Sequence, residues 1–246
     1  MMVGVVSFGA VVDEYDAARP SYPPDVFDAL GELEGLRVLD IGAGTGIATR
    51  ALLARGASVI AVDSGDEVLR RAIARTPGLP AVVADGAVLP VRTSSVDLVC
   101  FAQAWHWLNP ATRVAETHRV LGEAGRWAGW WSHARADAEP WFDRYWSAIE
   151  RWCPGMNRRQ RDTDWGATLD EAGRFDVGAR IVVPWMRTIS VDDWMTDQAS
   201  HSYVLGLTPD RRAQLLDELR RIVDAAFPVG TMSVRYETWL WIALRA

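Results

Sequence analysis

Through the first half of the chain, short apolar runs alternate with amphipathic stretches. Arg37-Val38-Leu39-Asp40-Ile41 predicts a buried strand, and a helix follows over about 47–55, with Ala51, Leu52 and Leu53 on its apolar face. A second strand over 58–62 ends at Asp63, a helix covers 67–75, and a third strand over 81–84 ends at Asp85. The run Val96-Asp97-Leu98-Val99-Cys100-Phe101 predicts a fourth strand, a helix spans about 111–121, and a fifth strand surrounds Trp127. Near-continuous apolar strands separated by helices predict a parallel sheet covered on both faces. After Ser132 the order changes. Helices are expected over 137–153 and 158–173, a strand over Val177–Pro184, helices over Val191–Ser200 and Pro209–Phe227, and a long alternating strand over Ser233–Leu244. The helices between the fifth and sixth strands are expected to form a cap.

Composition narrows the class. A chain of 246 residues, about half hydrophobic and a quarter charged, predicts one substantial globular domain. No apolar run approaches the roughly 20 residues of a membrane-spanning helix. The apolar start, Met1 to Val6, is short and lacks the basic flank of a signal peptide, so a cytoplasmic location without stable membrane association is expected. A net charge of −6 argues against non-specific nucleic-acid binding. All the basic residues are arginine, which excludes lysine Schiff bases and lysine-dependent phosphate loops. Cys100 and Cys153 give no disulfide framework. They also lack metal-ligand spacing, as do Asp192-Asp193 and Asp162-Thr163-Asp164, so no metal site is expected. Tryptophan is uneven: there are 13, none before Trp105, which separates an aromatic-poor first part from an aromatic-rich remainder.

The chemistry enters where the first strand ends. Asp40 followed by Gly42-Ala43-Gly44-Thr45-Gly46 is a nucleotide-binding turn, because glycine allows backbone angles and a ligand approach that a Cβ blocks. The next helix start offers free N–H groups. Asp63 is placed to accept from two ribose hydroxyls and Asp85 to lie near a base, across the carboxyl ends of the strands. The dinucleotide pattern G-x-G-x-x-G/A fails at Ile47 when begun at Gly42, and at Thr49 when begun at Gly44.

Several segments in order then resemble one family. Val38 to Gly46, Asp85-Gly86-Ala87-Val88-Leu89-Pro90, Ala102-Gln103-Ala104-Trp105-His106-Trp107 and Tyr15-Asp16-Ala17-Ala18-Arg19-Pro20-Ser21-Tyr22-Pro23 are similar to motifs of the class I S-adenosylmethionine-dependent methyltransferases. The likeness is to the small-molecule branch called methyltransferase type 11 and its trans-aconitate-methyltransferase-like members. It departs at Gly65 and Val68, where the family carries Ser and Met ahead of the matching Leu69, and at Gly122-Glu123-Ala124, which replaces Lys-Pro-Gly.

The resemblance implies a Rossmann-like, seven-stranded, mostly parallel α/β sheet with an antiparallel last strand, helices on both faces and a helical cap after the fifth strand. It implies one domain over 1–246: a cofactor core with an N-terminal lid over 1–132, an acceptor-binding cap with the sixth strand over 133–230, and a terminal strand over 231–246. Cofactor contacts are expected from Tyr15, Arg19, Asp40, Gly42, Ala43, Gly44, Gly46, Asp63, Ser64, Val68, Asp85, Gly86 and Gln103. Tyr22, Trp105, Trp107, Trp131 and Tyr203 are expected around a small-molecule acceptor, with His106 as a base or acceptor-orienting residue. S-adenosylmethionine is the expected cofactor and S-adenosylhomocysteine its product. The chain is expected to act as a monomer or homodimer.

Nucleic-acid amine methylation would require N/D-P-P-Y/F where Ala102-Gln103-Ala104-Trp105 stands. A non-catalytic cofactor-binding protein is the alternative from another class, because a glycine turn alone fixes binding rather than turnover.

Overall fold

The computed structural model describes residues 21–171 and 173–246. Its elements run α1 (Pro24–Asp28), β1 (Arg37–Ile41), α2 (Ile47–Leu53), β2 (Ser58–Asp63), α3 (Asp66–Arg75), β3 (Ala81–Val83) and β4 (Val96–Ala102). After a 3-10 turn at Trp105–Trp107 come α4 (Arg113–Val120), β5 (Leu121–Ala134), α5 (Pro140–Trp152), a 3-10 turn at Arg158–Asp162 and α6 (Ala167–Asp170). The chain continues through β6 (Phe175–Val177), β7 (Ile181–Ser190), α7 (Val191–Ala199), α8 (Ser202–Leu205), α9 (Pro209–Ala226) and β8 (Thr231–Arg245).

The strands form one sheet in the order β3-β2-β1-β4-β5-β8-β6, with β7 on β8. The first five are parallel, and β6 meets β8 antiparallel. This is the expected α/β architecture with one more strand. The single strand expected over 177–184 is two, divided at Gly178–Arg180, where the Gly178 N–H bonds Ile242 O. Pro184 inside β7 is tolerated because, among the described residues, β7 pairs only with β8. The helix expected over 158–173 is also broken. The Asn157 side chain accepts from Arg159 N, Asp164 accepts from Ala167 N, and the helix restarts only at Ala167. Short polar side chains compete with the helix for its own N–H groups.

The chain divides into two compact units, one comprising 21–132, 164–183 and 237–246, the other 133–163 and 184–236 of the described residues. In the first, the period-two pleat sorts side chains onto two faces. Leu39, Ile41, Val99, Phe101, Trp127 and Trp131 join Val114, Val120 and Leu169 on one. Val38, Leu98, Cys100, Ala128 and Trp130 join Phe27, Leu30, Ala48 and Leu52 on the other. Helices thus cover both faces, and strands buried on both sides are the reason their sequences read as near-continuous apolar runs.

The second unit is built on helix periodicity. Leu215, Leu219 and Val223 recur every four residues along α9, and Trp141, Tyr145, Ala148 and Ile149 line α5. Ser190 caps α7 by accepting from Asp193 N at 3.0 Å. A buried polar network threads this core. Arg187 donates to Asp197 Oδ2 at 2.7 Å and to the Tyr236 hydroxyl at 3.0 Å. The Tyr145 hydroxyl bonds Gln198 Oε1 and receives Trp194 Nε1–H, while Gln198 Nε2 donates to the Tyr203 hydroxyl. Each unit also holds one buried free thiol, Cys100 in the first and Cys153 in the second, and burial pushes both thiol pKa values up. Among the described residues no helix is long and apolar enough to cross a membrane, and no cluster of His, Cys, Asp or Glu has the grouping to hold a metal ion.

Candidate active site

The first unit gathers its polar groups at the carboxyl ends of β1, β2 and β4. β1 ends in Asp40 and Ile41, and the chain reverses through Gly42, Gly44 and Gly46 with φ of 71°, 54° and 81°. These left-handed angles favour glycine. Gly42 has a second reason: a Cβ there would lie 2.4 Å from the Ala104 Cβ, so the turn packs directly on the loop after β4. At Gly44 a Cβ would meet nothing within 4 Å among the described residues. The turn is therefore closed against protein at Gly42 and open at Gly44.

Asp63 holds this turn. One carboxylate oxygen accepts the Gly44 N–H at 2.9 Å and the other the Gly65 N–H at 2.8 Å, leaving further lone pairs on each for a ligand. Asp40 is fully buried beneath the turn. Its Oδ2 accepts the Thr49 hydroxyl at 2.6 Å, while Oδ1 has no partner among the described residues. Burial, only partly offset by Thr49, raises its pKa to about 6. Asp85 is exposed and turns its own loop by accepting Ala87 N–H at 2.9 Å; Gly86 packs against Ile41 and Leu108. Ala43 is buried, Ser64 is exposed, and Val68 leans on Gly65.

At the end of β4, Gln103 takes φ 58°, one of two non-glycine residues with positive φ among those described. Its N–H is tied to Trp130 O at 2.8 Å and its Nε2 donates to the Tyr22 hydroxyl at 3.3 Å. Such strained angles persist where surrounding structure enforces them. Tyr22 packs edge-on against Trp130, its centroid 5.7 Å away.

The 3-10 turn that follows separates the expected aromatic residues. Trp105 is fully buried between Phe101 and Trp127, and its indole N–H bonds the Thr168 hydroxyl. It is a core residue in this geometry rather than a surface offered to a ligand. Trp107 is 66% exposed. Between them, His106 is exposed to solvent on one side and faces rings on the other: Trp107, Trp165 and Trp131 have centroids 4.6, 5.7 and 6.3 Å away. Trp131 Nε1–H donates to His106 Nδ1 at 3.2 Å. Desolvation by these rings, then the Arg113 guanidinium, lowers the His106 pKa from 6.5 to about 4.

Arg113 is itself buried. It donates to Trp105 O at 2.9 Å and lies 4.6 Å over the Trp105 ring, and its Nε has no partner among the described residues.

Asp40, the glycine turn, Asp63, Asp85 and Gly86 thus share one rim; Gln103, His106 and Trp107 follow on from β4, Tyr22 meets Gln103 from ahead of α1, and Trp131 lies within β5, buried and so a support for His106 rather than a surface for an acceptor. Tyr203 lies in the other unit, tied to Gln198. Tyr15 and Arg19 lie outside the described residues. Trp165, stacked on Trp131 at 5.0 Å, and Thr49, bonded to Asp40, border the candidate site but are absent from the expected set. A tryptophan in a broken helix and a threonine in a helix start carried no signal to mark them.

A family model described as a methyltransferase domain matches residues 39–128, the stretch from β1 into β5. An uncharacterized methyltransferase of Mycobacterium tuberculosis is 35% identical over 218 residues, covering 89% of this chain and 86% of its own. A structure from Anaeromyxobacter dehalogenans assigned as a type II methyltransferase superposes with a TM-score of 0.69 at 24% identity, covering 92% of this chain and 97% of that one. Haemonchus contortus phosphoethanolamine N-methyltransferase 2 in complex with S-adenosyl-L-methionine gives 0.54 at 17% identity, covering 98% of this chain and 60% of that one. The two structures show a shared fold. With the glycine turn inside the matched segment and the M. tuberculosis relative aligned along most of its length, the chain belongs to the class I S-adenosylmethionine-dependent methyltransferases.

Proposed function

We propose that the protein transfers the methyl group of S-adenosylmethionine to a small-molecule acceptor that reaches the site beside His106 and Trp107. The observation that carries the cofactor placement is the contrast within the turn: Gly42 is closed on Ala104, while at Gly44 no described residue comes within 4 Å of a Cβ and the backbone is held by Asp63. On this reading the Gly42–Gly46 turn carries the methionine part. Asp40 Oδ1, buried and unpartnered, accepts from its ammonium directly or through a water. Asp63 uses its remaining lone pairs on the ribose, Asp85 and Gly86 border the adenine, and Gln103 flanks the sulfonium region. When bound, the cofactor supplies an electrophilic methyl group on a cationic sulfur that leaves as a neutral thioether.

The chain's own part is alignment and exclusion of water, since an in-line displacement requires few proton transfers. The Trp107 and Trp165 rings supply an apolar wall for the acceptor, with Trp131 buried behind them, and an aromatic face near the sulfonium adds a cation–π attraction of about 0.5–2 kcal/mol. A small acceptor is favoured over nucleic acid by the charge of −6 and by Ala102-Gln103-Ala104-Trp105 at the end of β4, which has no side chain arrangement to seat a base amine.

Calorimetric titration with S-adenosylmethionine, S-adenosylhomocysteine and NADH tests the cofactor, and conversion to S-adenosylhomocysteine against a panel of carboxylic acids and phenols tests the acceptor class. Micromolar binding of the first two with acceptor-dependent turnover is expected. Binding of NADH alone, or turnover only with nucleic acid, overturns the reading.

A further inference from the structure

The indole N–H is a donor with no acceptor counterpart, and this settles more about His106 than its surroundings do. Trp131 Nε1–H points its hydrogen at His106 Nδ1 over 3.2 Å, so Nδ1 must present its lone pair. A neutral imidazole has one N–H and one lone pair, which leaves the hydrogen on Nε2. The arrangement is held from both sides. Trp131 is 4% exposed, stacked on Trp165 with an interplanar angle of 19° and met edge-on by Trp241 at 5.9 Å. The turn carrying His106 is pinned by Arg113 through the Trp105 carbonyl. Arg113 is also the charged group whose field reaches the imidazole; the rings packed on it, Trp107, Trp131 and Trp165, are uncharged.

We propose that His106 works as a neutral hydrogen-bond donor, offering Nε2–H to a lone pair of the acceptor, with Trp131 as the positioning residue that fixes its tautomer. It is not the reaction's base. Its one lone pair is occupied by Trp131, and its other nitrogen already carries a hydrogen. The attacking atom therefore reaches the site with its own lone pair free. That pair forms the bond to the methyl carbon as the carbon–sulfur bond breaks, the electrons of the broken bond stay on sulfur, and no proton crosses to His106. The proposal rests on the acceptor placement given above and deepens it.

The test reads the tautomer directly. Long-range 1H–15N correlation spectra of 15N-labelled protein resolve the imidazoles of four histidines, with His106 assigned by its loss in His106→Gln. The Nε2–H pattern is expected at pH 7 and unchanged at pH 5.5. In Trp131→Phe, which keeps an aromatic ring but removes the donor, the pattern is expected to become a mixture of tautomers. An Nδ1–H pattern in the wild type, or a proton gained between pH 6 and 7, overturns the proposal without any assay of turnover.

Kinetics give the second arm. His106→Gln, whose amide nitrogen can replace Nε2–H, is expected to keep kcat within about tenfold, while His106→Ala loses about a hundredfold, the low end of what a positioned proton-transfer or donor group contributes. Equal losses in both variants, or a wild-type kcat/KM with an inflection near 6.5, count against a donor role. S-adenosylhomocysteine titration separates the two readings: variants that bind it like the wild type place any failure at His106, whereas a wild type that does not bind it removes the proposed function itself.

Discussion

The two units differ in where their buried polar groups are closed. In the unit of residues 133–163 and 184–236, Arg187, Asp197 and Tyr236 satisfy one another, as do Tyr145, Gln198, Trp194 and Tyr203. In the sheet unit, Asp40 Oδ1, Arg113 Nε, Thr117 Oγ1 and the indole nitrogens of Trp127 and Trp130 are buried without a partner among the described residues, while in the other unit Arg212 Nε is one such atom, away from that network. Gln103 adds a backbone angle that side chains rarely adopt. Folded interiors close nearly all such bonds, so groups left open mark where stability has been given up. Two of them, Asp40 and Arg113, lie beneath the glycine turn and behind His106. The difference is one of position: the closed network fills the core of one unit, whereas two of the open groups of the sheet unit border the candidate site.

The strongest challenge to this contrast is to open the closed network. Arg187→Met leaves Asp197 buried without its cation, and urea unfolding is expected to show a loss of about 3–5 kcal/mol. The double variant with Asp197→Leu is expected to recover much of it, since a matched apolar pair costs less than a lone buried charge. In both, the folded protein should bind S-adenosylhomocysteine as before. Loss of that binding in the double variant would show that the network serves the site.

Next in size is Gly42→Ala. A Cβ 2.4 Å from Ala104, at a φ of 71°, is expected to cost about 3 kcal/mol and to weaken S-adenosylhomocysteine binding in calorimetry. A variant that binds normally would mean the turn does not need its approach to the loop after β4.

Asp40→Asn sharpens the comparison through pH. The folded pKa is raised to about 6, so between the unfolded value and pH 6 the folded state holds a proton that the unfolded chain releases. The stability this contributes is full below the unfolded pKa and lost as pH rises through 6. Against the wild type, the amide variant is expected to gain up to about 3 kcal/mol between pH 3.5 and pH 7, apart from a constant offset. Parallel pH profiles of unfolding free energy for the two proteins would contradict an ionised, strained Asp40.

The smallest effect is expected from Trp107→Ala. With the side chain 66% exposed, stability should shift by no more than about 0.5 kcal/mol, while the KM for the acceptor rises and cofactor affinity stays put.

How much of this was legible in the sequence follows from distance along the chain. The glycine turn, Asp63 and Asp85 are local: a strand end, a turn and the next strand end define them, and the structure finds them on one rim. The aromatic site is not local. Trp105, His106 and Trp107 are adjacent in sequence, yet a 3-10 turn sends the first into the core, the second among the indoles and the third to the surface. The bond that sets the His106 tautomer comes from 25 residues away, through the register of β5 beside β4. Trp165 comes from farther still, out of a segment that reads as one helix and is two fragments. Periodicity predicts faces of elements, and it carries no information on which ring of a distant strand meets which.

The two buried thiols have a use of their own. Cys100 lies within the sheet unit and Cys153 within the other, both inaccessible in the closed protein and both poor nucleophiles while burial holds them protonated. A water-soluble disulfide reagent can therefore modify each only when its own surroundings open. The chain carries a clock in each half: equal labelling rates would describe a molecule that unfolds as a single body, and unequal ones would give the order in which its halves let go. Repeating the measurement with S-adenosylhomocysteine bound would show which clock the ligand slows.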